Sequence, residues 1–221
     1  TLNQISYFKF VAGMSKQIND ENILFNMLFA KSAKEEKESY EKLVEINKVQ
    51  NIIIHNVKIK DQKVKNLNQK KINFVAWEKS KKINYSWVDL DNELSSEMIV
   101  DYLISKDHKK IAFINVEEKY NFAFLRKKGF KKALRKNSIP YDSSIYRTTS
   151  LEDPSFTKNI TMELLEKNPD LDSIICSTEY ASVGAIEACV ELGINIGKDI
   201  SLITYDGPVV ESLTNPKITA V

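Results

Sequence analysis

Short apolar runs alternate with longer amphipathic stretches along most of this chain. Six apolar runs have the length of β-strands and cover residues 23–30, 51–56, 72–77, 110–115, 173–178 and 200–205. Six stretches with helical periodicity lie around them, over residues 5–20, 33–48, 92–105, 121–137, 156–168 and 180–192. Strand–helix–strand repetition predicts parallel strands joined by right-handed crossovers. We therefore expect an α/β fold with doubly wound parallel sheets that helices cover on both faces.

The apolar runs have the composition of deeply buried strands. "NIIIHN" (51–56) and "ISLITY" (200–205) are apolar along almost their whole length, as in parallel sheets covered on both faces. The stretch from Glu179 to Leu192 places three alanines and a leucine on one helical face, and Gly193 follows as a stop signal. A lysine-rich stretch over residues 58–71 fits either a frayed helix or a loop.

Composition excludes several classes of protein. The 221 residues are 43% hydrophobic, which is enough to bury the core of one large domain or two small ones. The 32 basic and 30 acidic residues nearly balance and the lysines are scattered, so no nucleic-acid-binding stripe is expected in this sequence. No run approaches the roughly 18 apolar residues of a membrane span, and the N-terminus lacks the character of a signal peptide.

Cysteine and histidine are too few for a metal centre. Cys176 and Cys189 lie in apolar surroundings without metal-ligand spacing, which indicates reduced core residues of a cytosolic protein. His55 and His108 are far apart in sequence, so neither a zinc site nor a histidine-based triad is expected. The sequence has no glycine-rich phosphate loop and no nucleophile with an activating base. We therefore expect no cofactor, no metal and no enzymatic activity.

Polar residues follow the predicted strands, at the edge where doubly wound sheets bind ligands. Asp206 follows the run 200–205 and precedes a Gly-Pro turn. It could cap that turn, or it could accept hydrogen bonds from vicinal hydroxyls of a sugar. Trp77 and Trp87 could stack on a sugar ring, although packing is the commoner role of tryptophan.

Two further positions allow both a structural and a ligand-binding interpretation. "STE" (177–179) follows a predicted strand and can cap the next helix, contact a ligand, or do both. Arg126 lies near the start of a lysine-rich helix. It is either a surface residue or a bidentate clamp for a hydroxyl pair or an anion.

Four segments, in order along the chain, resemble the lactose-repressor (LacI) family of bacterial transcriptional regulators. "VDLDNELSSEMIVDYLISKDHKKIAFIN" (88–115) is similar to a family segment in which a D-N pair opens a helix and Y-L-I-x-x-G-H-x-x-I-A-F-I follows. "RKKGFKKAL" (126–134), the stretch 169–207 ending in "ISLITYDG", and "NPKITAV" (215–221) complete the order. The resemblance covers most of the chain.

The resemblance implies the effector-binding core of such a regulator. Its fold would be periplasmic-binding-protein-like, with two α/β subdomains on either side of a cleft. The N-terminal subdomain would cover residues 1–107 and the C-terminal subdomain 108–217, with a first crossover near 106–110 and a crossover back beginning at 218–221. The family's first strand, C-terminal return and DNA-binding headpiece have no counterpart here, so we expect a sequence trimmed at both ends.

The resemblance also implies effector-binding roles for individual residues. Arg126 matches the family's effector-binding arginine before the glycine of "KKGF", Asp206 matches the acid of the "YDG" corner, and Asp91 matches the aspartate of the D-N pair. The other implied positions are Thr178, Glu179, Ser6 and Tyr7. The first two stand where the family often has N-D, which implies a differently shaped pocket. The last two align with the start of the first helix, which contacts the effector ring.

The implied function is a cytoplasmic, homodimeric repressor that senses a sugar, a phosphosugar or a similar small metabolite. Effector binding would favour a closed cleft and change operator affinity. Operator DNA would be bound only through the headpiece that this sequence lacks, and helix 5–20 is a candidate dimer surface. The alternative is an extracytoplasmic sugar-binding protein of a transporter, which has the same fold and cleft.

Overall fold

The computed structural model describes residues 3–18, 23, 26–27, 30, 32–46, 48–80, 85–151, 156–206, 210, 214–215 and 217–221. These residues form seven α-helices and eight β-strands. In chain order they are α1 (Asn3–Ile18), α2 (Ala33–Glu41), β1 (Asn51–Ile54), α3 (Gln62–Gln69), β2 (Asn73–Trp77), β3 (Ser86–Val88), α4 (Asn92–Ser105), β4 (Ile111–Val116), α5 (Asn121–Lys136), β5 (Tyr146–Thr149), α6 (Thr157–Lys167), β6 (Ser173–Cys176), α7 (Glu179–Glu191), β7 (Ser201–Thr204) and β8 (Thr219–Ala220). A π-helical turn, Lys42–Ile46, continues α2, and a 3-10 turn, Ser143–Ile145, precedes β5.

Helices occupy all six predicted places, and five of the six predicted strands are confirmed as β1, β2, β4, β6 and β7. The predicted strand over 23–30 falls partly outside the described residues, and its described members lie in no helix or strand. The structure adds α3, which makes the lysine-rich stretch helical over part of its length, and the short strands β3, β5 and β8. No helix in the described part of the chain is long and apolar enough to span a membrane.

Five strands form one parallel sheet in the order β5-β4-β6-β7-β8. All residues of β4 and β6 are buried. Successive side chains of a strand point to opposite faces, so β4 contributes to two cores. Ala112 and Ile114 pack with residues of α6 and α7, whereas Ile111 and Phe113 pack with residues of α4 and α5. The predicted doubly wound parallel sheet is confirmed.

Strands β1, β2 and β3 form a separate parallel sheet in that order. Val64 and Leu67 of α3 are buried in its core together with side chains of β1 and β2. Asp61 begins α3 and is itself buried, with its carboxylate accepting from the Lys63 N–H at 2.8 Å and the Lys58 N–H at 2.9 Å. A carboxylate with two backbone donors is a strong helix N-cap, which fixes where this helix starts.

Helices α4 and α5 pack closely over one face of the five-stranded sheet. A Cβ atom on Gly129 of α5 would lie 2.1 Å from the Glu93 carbonyl oxygen of α4, so only glycine fits there. Three ion pairs, at 2.7, 2.7 and 2.8 Å, join the two helices at successive turns: Lys128–Glu93, Lys132–Glu97 and Lys136–Asp101. The relative position of α4 and α5 is therefore tightly specified.

Contacts divide the chain into two compact units. The C-terminal unit comprises Asp91–Glu118 and Phe122–Val221 with Thr1–Ser6, and the N-terminal unit comprises Tyr7–Leu90 and Lys119–Asn121. This division falls between Leu90 and Asp91, whereas the family resemblance implies a subdomain boundary at residue 107. The difference arises because Ile99, Val100 and Leu103 of α4 pack in the core of the C-terminal unit. The segment 106–110, which connects α4 to β4, therefore lies within that unit.

Candidate functional site

Two loops and a helix come together at the carboxyl edge of the five-stranded sheet. Strands β4, β6 and β7 are adjacent and parallel, with Ile114 opposite Cys176 and Cys176 opposite Thr204. The segments that follow β6 and β7 therefore lie at the same edge of the sheet. Helix α5, which follows β4, brings Arg126 against both segments. This is the edge where ligands bind in doubly wound sheets.

Arg126 lies at the centre of this edge and is buried, with 7% of its surface exposed. Its Nε donates to Asn92 Oδ1 at 2.8 Å, and its Nη1 donates to the Ser177 carbonyl oxygen. The guanidinium carbon lies 3.7 Å from the ring centroid of Tyr205 and 4.9 Å from that of Phe122. Hydrogen bonds and aromatic contacts together fix the plane of the guanidinium. Arg126 is thus not a solvated surface residue of a lysine-rich helix.

Asp206 stands at the corner after β7. Its backbone φ of 59° lies in the left-handed region, which aspartate tolerates better than most residues. The Asp206 N–H donates to the Val221 carbonyl at 3.2 Å, and Thr204 Oγ1 donates to the Asp206 carbonyl at 3.3 Å. These bonds use the backbone, and the exposed carboxylate makes no hydrogen bond within the described residues. Gly207 and Pro208, which form the predicted Gly-Pro turn, lie outside them.

Two other charged groups act electrostatically on Asp206. Although part of its surface is accessible, burial against the protein raises the pKa of its carboxyl group. The positive charge of Arg126 lowers that pKa, and the negative charge of Glu179 raises it further. The three groups therefore form one electrostatic cluster, with two carboxylates and one guanidinium. Such a cluster offers both acceptors and donors to a hydroxyl-rich ligand.

The loop after β6 begins α7 and carries the second carboxylate. Thr178 is extended, with φ of −145°, and its Oγ1 accepts from the Ala181 N–H at 3.1 Å, so the predicted helix-capping role is confirmed. Glu179 is 7% exposed and accepts from the Val210 N–H at 3.3 Å. Ser177 Oγ is buried without a hydrogen-bond partner among the described residues. One loop thus combines a helix cap with a buried acid.

The D-N pair at the start of α4 divides two tasks between its members. Asp91 is exposed and caps the helix, because its Oδ1 accepts from the Leu94 N–H at 3.0 Å. Asn92 is 2% exposed and holds Arg126. Asn92 and Tyr205 are not among the residues predicted for the site. Their motifs, "VDLDN" and "ITYDG", were the available signals, but neither motif reveals a contact with Arg126.

The remaining predicted positions have other surroundings. Ser6 and Tyr7 lie in α1, but their side chains are outside the described residues. Trp77, at the end of β2, stacks on Phe10 with ring centroids 4.0 Å apart. Its role is therefore packing, which is the commoner of the two roles that the sequence allowed. Trp87 is 49% exposed, and the Nζ atom of Lys79 lies 4.8 Å from its ring centroid.

Both cysteines are free and buried in the core. Burial raises the pKa of the Cys176 thiol to about 12 and that of Cys189 to about 11. A thiol with a raised pKa is a poor nucleophile and a poor metal ligand. Among the described residues, no cluster of histidine, cysteine, aspartate and glutamate is arranged to hold a metal ion.

The family model described as periplasmic binding protein-like domain matches residues 100–221. The HTH-type transcriptional regulator AglR of Rhizobium meliloti (strain 1021) is 27% identical over 207 residues, which cover 92% of this chain and 57% of that protein. The chain spans about half the length of the curated relatives it matches.

Solved structures show the same fold. Transcription regulator CcpA of Lactococcus lactis has a TM-score of 0.88 at 19% identity, covering 100% of this chain and 80% of that one. A LacI family regulator from Enterococcus faecium with bound ribose has a TM-score of 0.81 at 22% identity, covering 97% and 78%. These matches confirm the resemblance to LacI-type regulators, and the family model, which covers more than half of the chain, shows that the chain belongs to the family of periplasmic binding protein-like domains.

Proposed function

We propose that this chain is the effector-sensing domain of a LacI-type bacterial transcriptional repressor. A sugar or a similar small metabolite binds at the carboxyl edge of its five-stranded sheet. The observation that carries this proposal is the cluster of Arg126, Glu179 and Asp206, with the Arg126 guanidinium held over the Tyr205 ring. AglR, similar over 92% of the chain, is a transcriptional regulator. That similarity favours regulation over the alternative role of a transporter's sugar-binding protein.

The groups of this edge suit a ligand with several hydroxyls. The Asp206 carboxylate accepts hydrogen bonds from two vicinal hydroxyls, and Arg126 donates to a hydroxyl or ring oxygen. Thr178 and Asp91 contribute further oxygen atoms beside their helix-capping bonds. Ser6 and Tyr7 are assigned to the same ligand on the family resemblance alone. No catalytic step is required of any of them.

The ligand acts by shifting a conformational equilibrium. A ligand that reaches both units of the chain stabilises the arrangement in which both contact it, and the population shifts toward that arrangement. In a cytoplasmic homodimer this shift alters the affinity for operator DNA, which a helix-turn-helix segment of the whole protein binds. Differential affinity between the two arrangements sets the size of the regulatory effect.

A thermal-shift screen of sugars tests the proposal. Ribose and cellobiose are natural first probes, because each is bound in a solved regulator of this fold. Asp206→Asn removes the charge while tolerating the left-handed backbone, and it breaks no hydrogen bond within the described residues. Glu163→Gln is the matched control, since Glu163 is an exposed carboxylate of α6 whose one ion pair within the described residues is with Lys167. A sugar should raise the melting temperature of the wild type and of the control much more than that of Asp206→Asn. Equal shifts in all three proteins would contradict the assignment.

A further inference from the structure

Negative charge exceeds positive charge in the cluster that the proposed function assigns to the effector. Arg126 is the single guanidinium, and its field lowers the pKa of Asp206, whereas Glu179 raises it. Arg126 and Glu179 are each 7% exposed, so the surroundings screen their charges less than water would, whereas solvent screens part of the charge of the exposed Asp206. The Asp91 carboxylate, next to Asn92 at the start of α4, adds a further acid beside the cluster.

Arg126 cannot offer two free neighbouring N–H groups to an anion. Bidentate recognition of phosphate uses two neighbouring guanidinium nitrogens. One such edge contains Nε, which donates to Asn92, and the other contains Nη1, which donates to the Ser177 carbonyl. The Tyr205 ring lies 3.7 Å from the guanidinium carbon and prevents it from turning out of plane. The geometry of Arg126 therefore suits a single hydrogen bond to a hydroxyl better than bidentate binding of a phosphate.

One backbone N–H at each helix end of this edge already donates to a side chain of the protein itself. A helix N-terminus is a ready phosphate site only where its N–H groups are open. In α4 the Leu94 N–H donates to Asp91 at 3.0 Å, and in α7 the Ala181 N–H donates to Thr178 at 3.1 Å. Glu179 places a carboxylate in the first turn of α7. A phosphate would meet negative charge at both helix ends.

We infer that the effector presents only uncharged hydroxyl groups to this edge, and that the carboxylates Asp206 and Glu179 exclude phosphorylated sugars by charge repulsion. The inference rests on the proposed function, and it narrows the effector class to neutral sugars. Specificity of this kind comes from a repulsive element against the competitor as well as from contacts with the ligand. A phosphate monoester carries about 1.5 to 2 negative charges at neutral pH, so two carboxylates discriminate strongly against it.

Paired ligands separate this inference from the proposed function. The probes are ribose with ribose 5-phosphate, glucose with glucose 6-phosphate, fructose with fructose 1-phosphate, and trehalose with trehalose 6-phosphate, together with cellobiose, each measured by thermal shift and then by calorimetry. The expected result is binding of at least one neutral sugar, with its phosphorylated partner at least about tenfold weaker. Tighter binding of a phosphorylated partner overturns the inference and leaves the proposed function standing. Binding of none of the sugars overturns both.

Two variants test the cause of the discrimination. Asp206→Asn and Glu179→Gln each remove one negative charge, and Gln at position 179 keeps an oxygen that can accept from the Val210 N–H. Each should bring the neutral and phosphorylated affinities closer together, and low salt should widen the gap in the wild type. Glu163→Gln, in α6, removes a charge that is not among those acting on Asp206, so it should leave the ratio of neutral to phosphorylated affinity unchanged. The inference is overturned if the ratio of neutral to phosphorylated affinity is the same in the wild type and in all three variants.

Discussion

The close contact between α4 and α5 yields a prediction that links packing to the site. In Gly129→Ala the new methyl group would lie 2.1 Å from the Glu93 carbonyl oxygen and 2.9 Å from Ser96 Cβ. Ordinary contact between such atoms is above 3 Å, so α4 must move away by about 1 Å. Overpacking of this kind costs about 1–3 kcal/mol. Asn92 immediately precedes Glu93, so its 2.8 Å hydrogen bond to Arg126 must lengthen with the same movement.

Urea unfolding and sugar titration measure the two consequences separately. The free energy of unfolding of Gly129→Ala should fall by about 1–3 kcal/mol, and the affinity for the sugar found by thermal shift should fall with it. Gly13→Ala is the matched control, because Gly13 is also helical and a Cβ there meets nothing within 4 Å. That substitution should stabilise the protein by about 0.5–1 kcal/mol. A Gly129→Ala protein as stable as Gly13→Ala would refute the reasoning about the helix contact.

Three further predictions concern single side chains. Asn92→Ala leaves the buried Nε of Arg126 without its acceptor and should lower the free energy of unfolding in urea by about 2–3 kcal/mol. Asn159→Ala, at an exposed position, is the control and should leave that free energy unchanged. Equal effects of the two substitutions would contradict the role of Asn92. Asp61→Ala removes an acceptor of two backbone N–H groups and should lower the free energy of unfolding by about 1–2 kcal/mol. An unchanged urea midpoint would contradict the capping role of Asp61. The raised pKa of Asp206 means that its carboxylate protonates at a higher pH than an ordinary aspartate. Sugar affinity should therefore fall as the pH is lowered through that pKa, and Asp206→Asn should abolish this part of the pH dependence in calorimetry.

The elements that the sequence predicts well are those whose own residues carry the signal. β4 and β6 are buried on both faces, so nearly every residue is apolar and the strands are visible as runs. β5 reads "YRTT" and lies at the edge of its sheet, where polar residues are tolerated, so no run marks it. Helix α3 is eight residues long and buries only Val64 and Leu67, three positions apart, which is too short a pattern to separate a helix from a loop in a lysine-rich stretch.

The site was harder to predict, because it depends on contacts between distant residues. The family pattern pointed to Arg126, Glu179 and Asp206, and the structure brings these three into one cluster. The partners of Arg126 lie 34 and 51 positions away, at Asn92 and Ser177, so no local pattern reveals them. The boundary at residue 107 was placed from the resemblance without knowledge of where α4 packs. That information lies in the core contacts of Ile99, Val100 and Leu103, which join α4 to the C-terminal unit.

The most direct test of the proposed site is a calorimetric titration of the wild type and of Asp206→Asn with the neutral sugar that most raises the wild-type melting temperature. Loss of hydrogen bonds to a charged acceptor should weaken binding at neutral pH by about tenfold to a hundredfold. The variant should stay folded, because the Asp206 backbone bonds to Thr204 and Val221 do not involve the carboxylate. The same dissociation constant for both proteins would contradict the claim that Asp206 binds the effector.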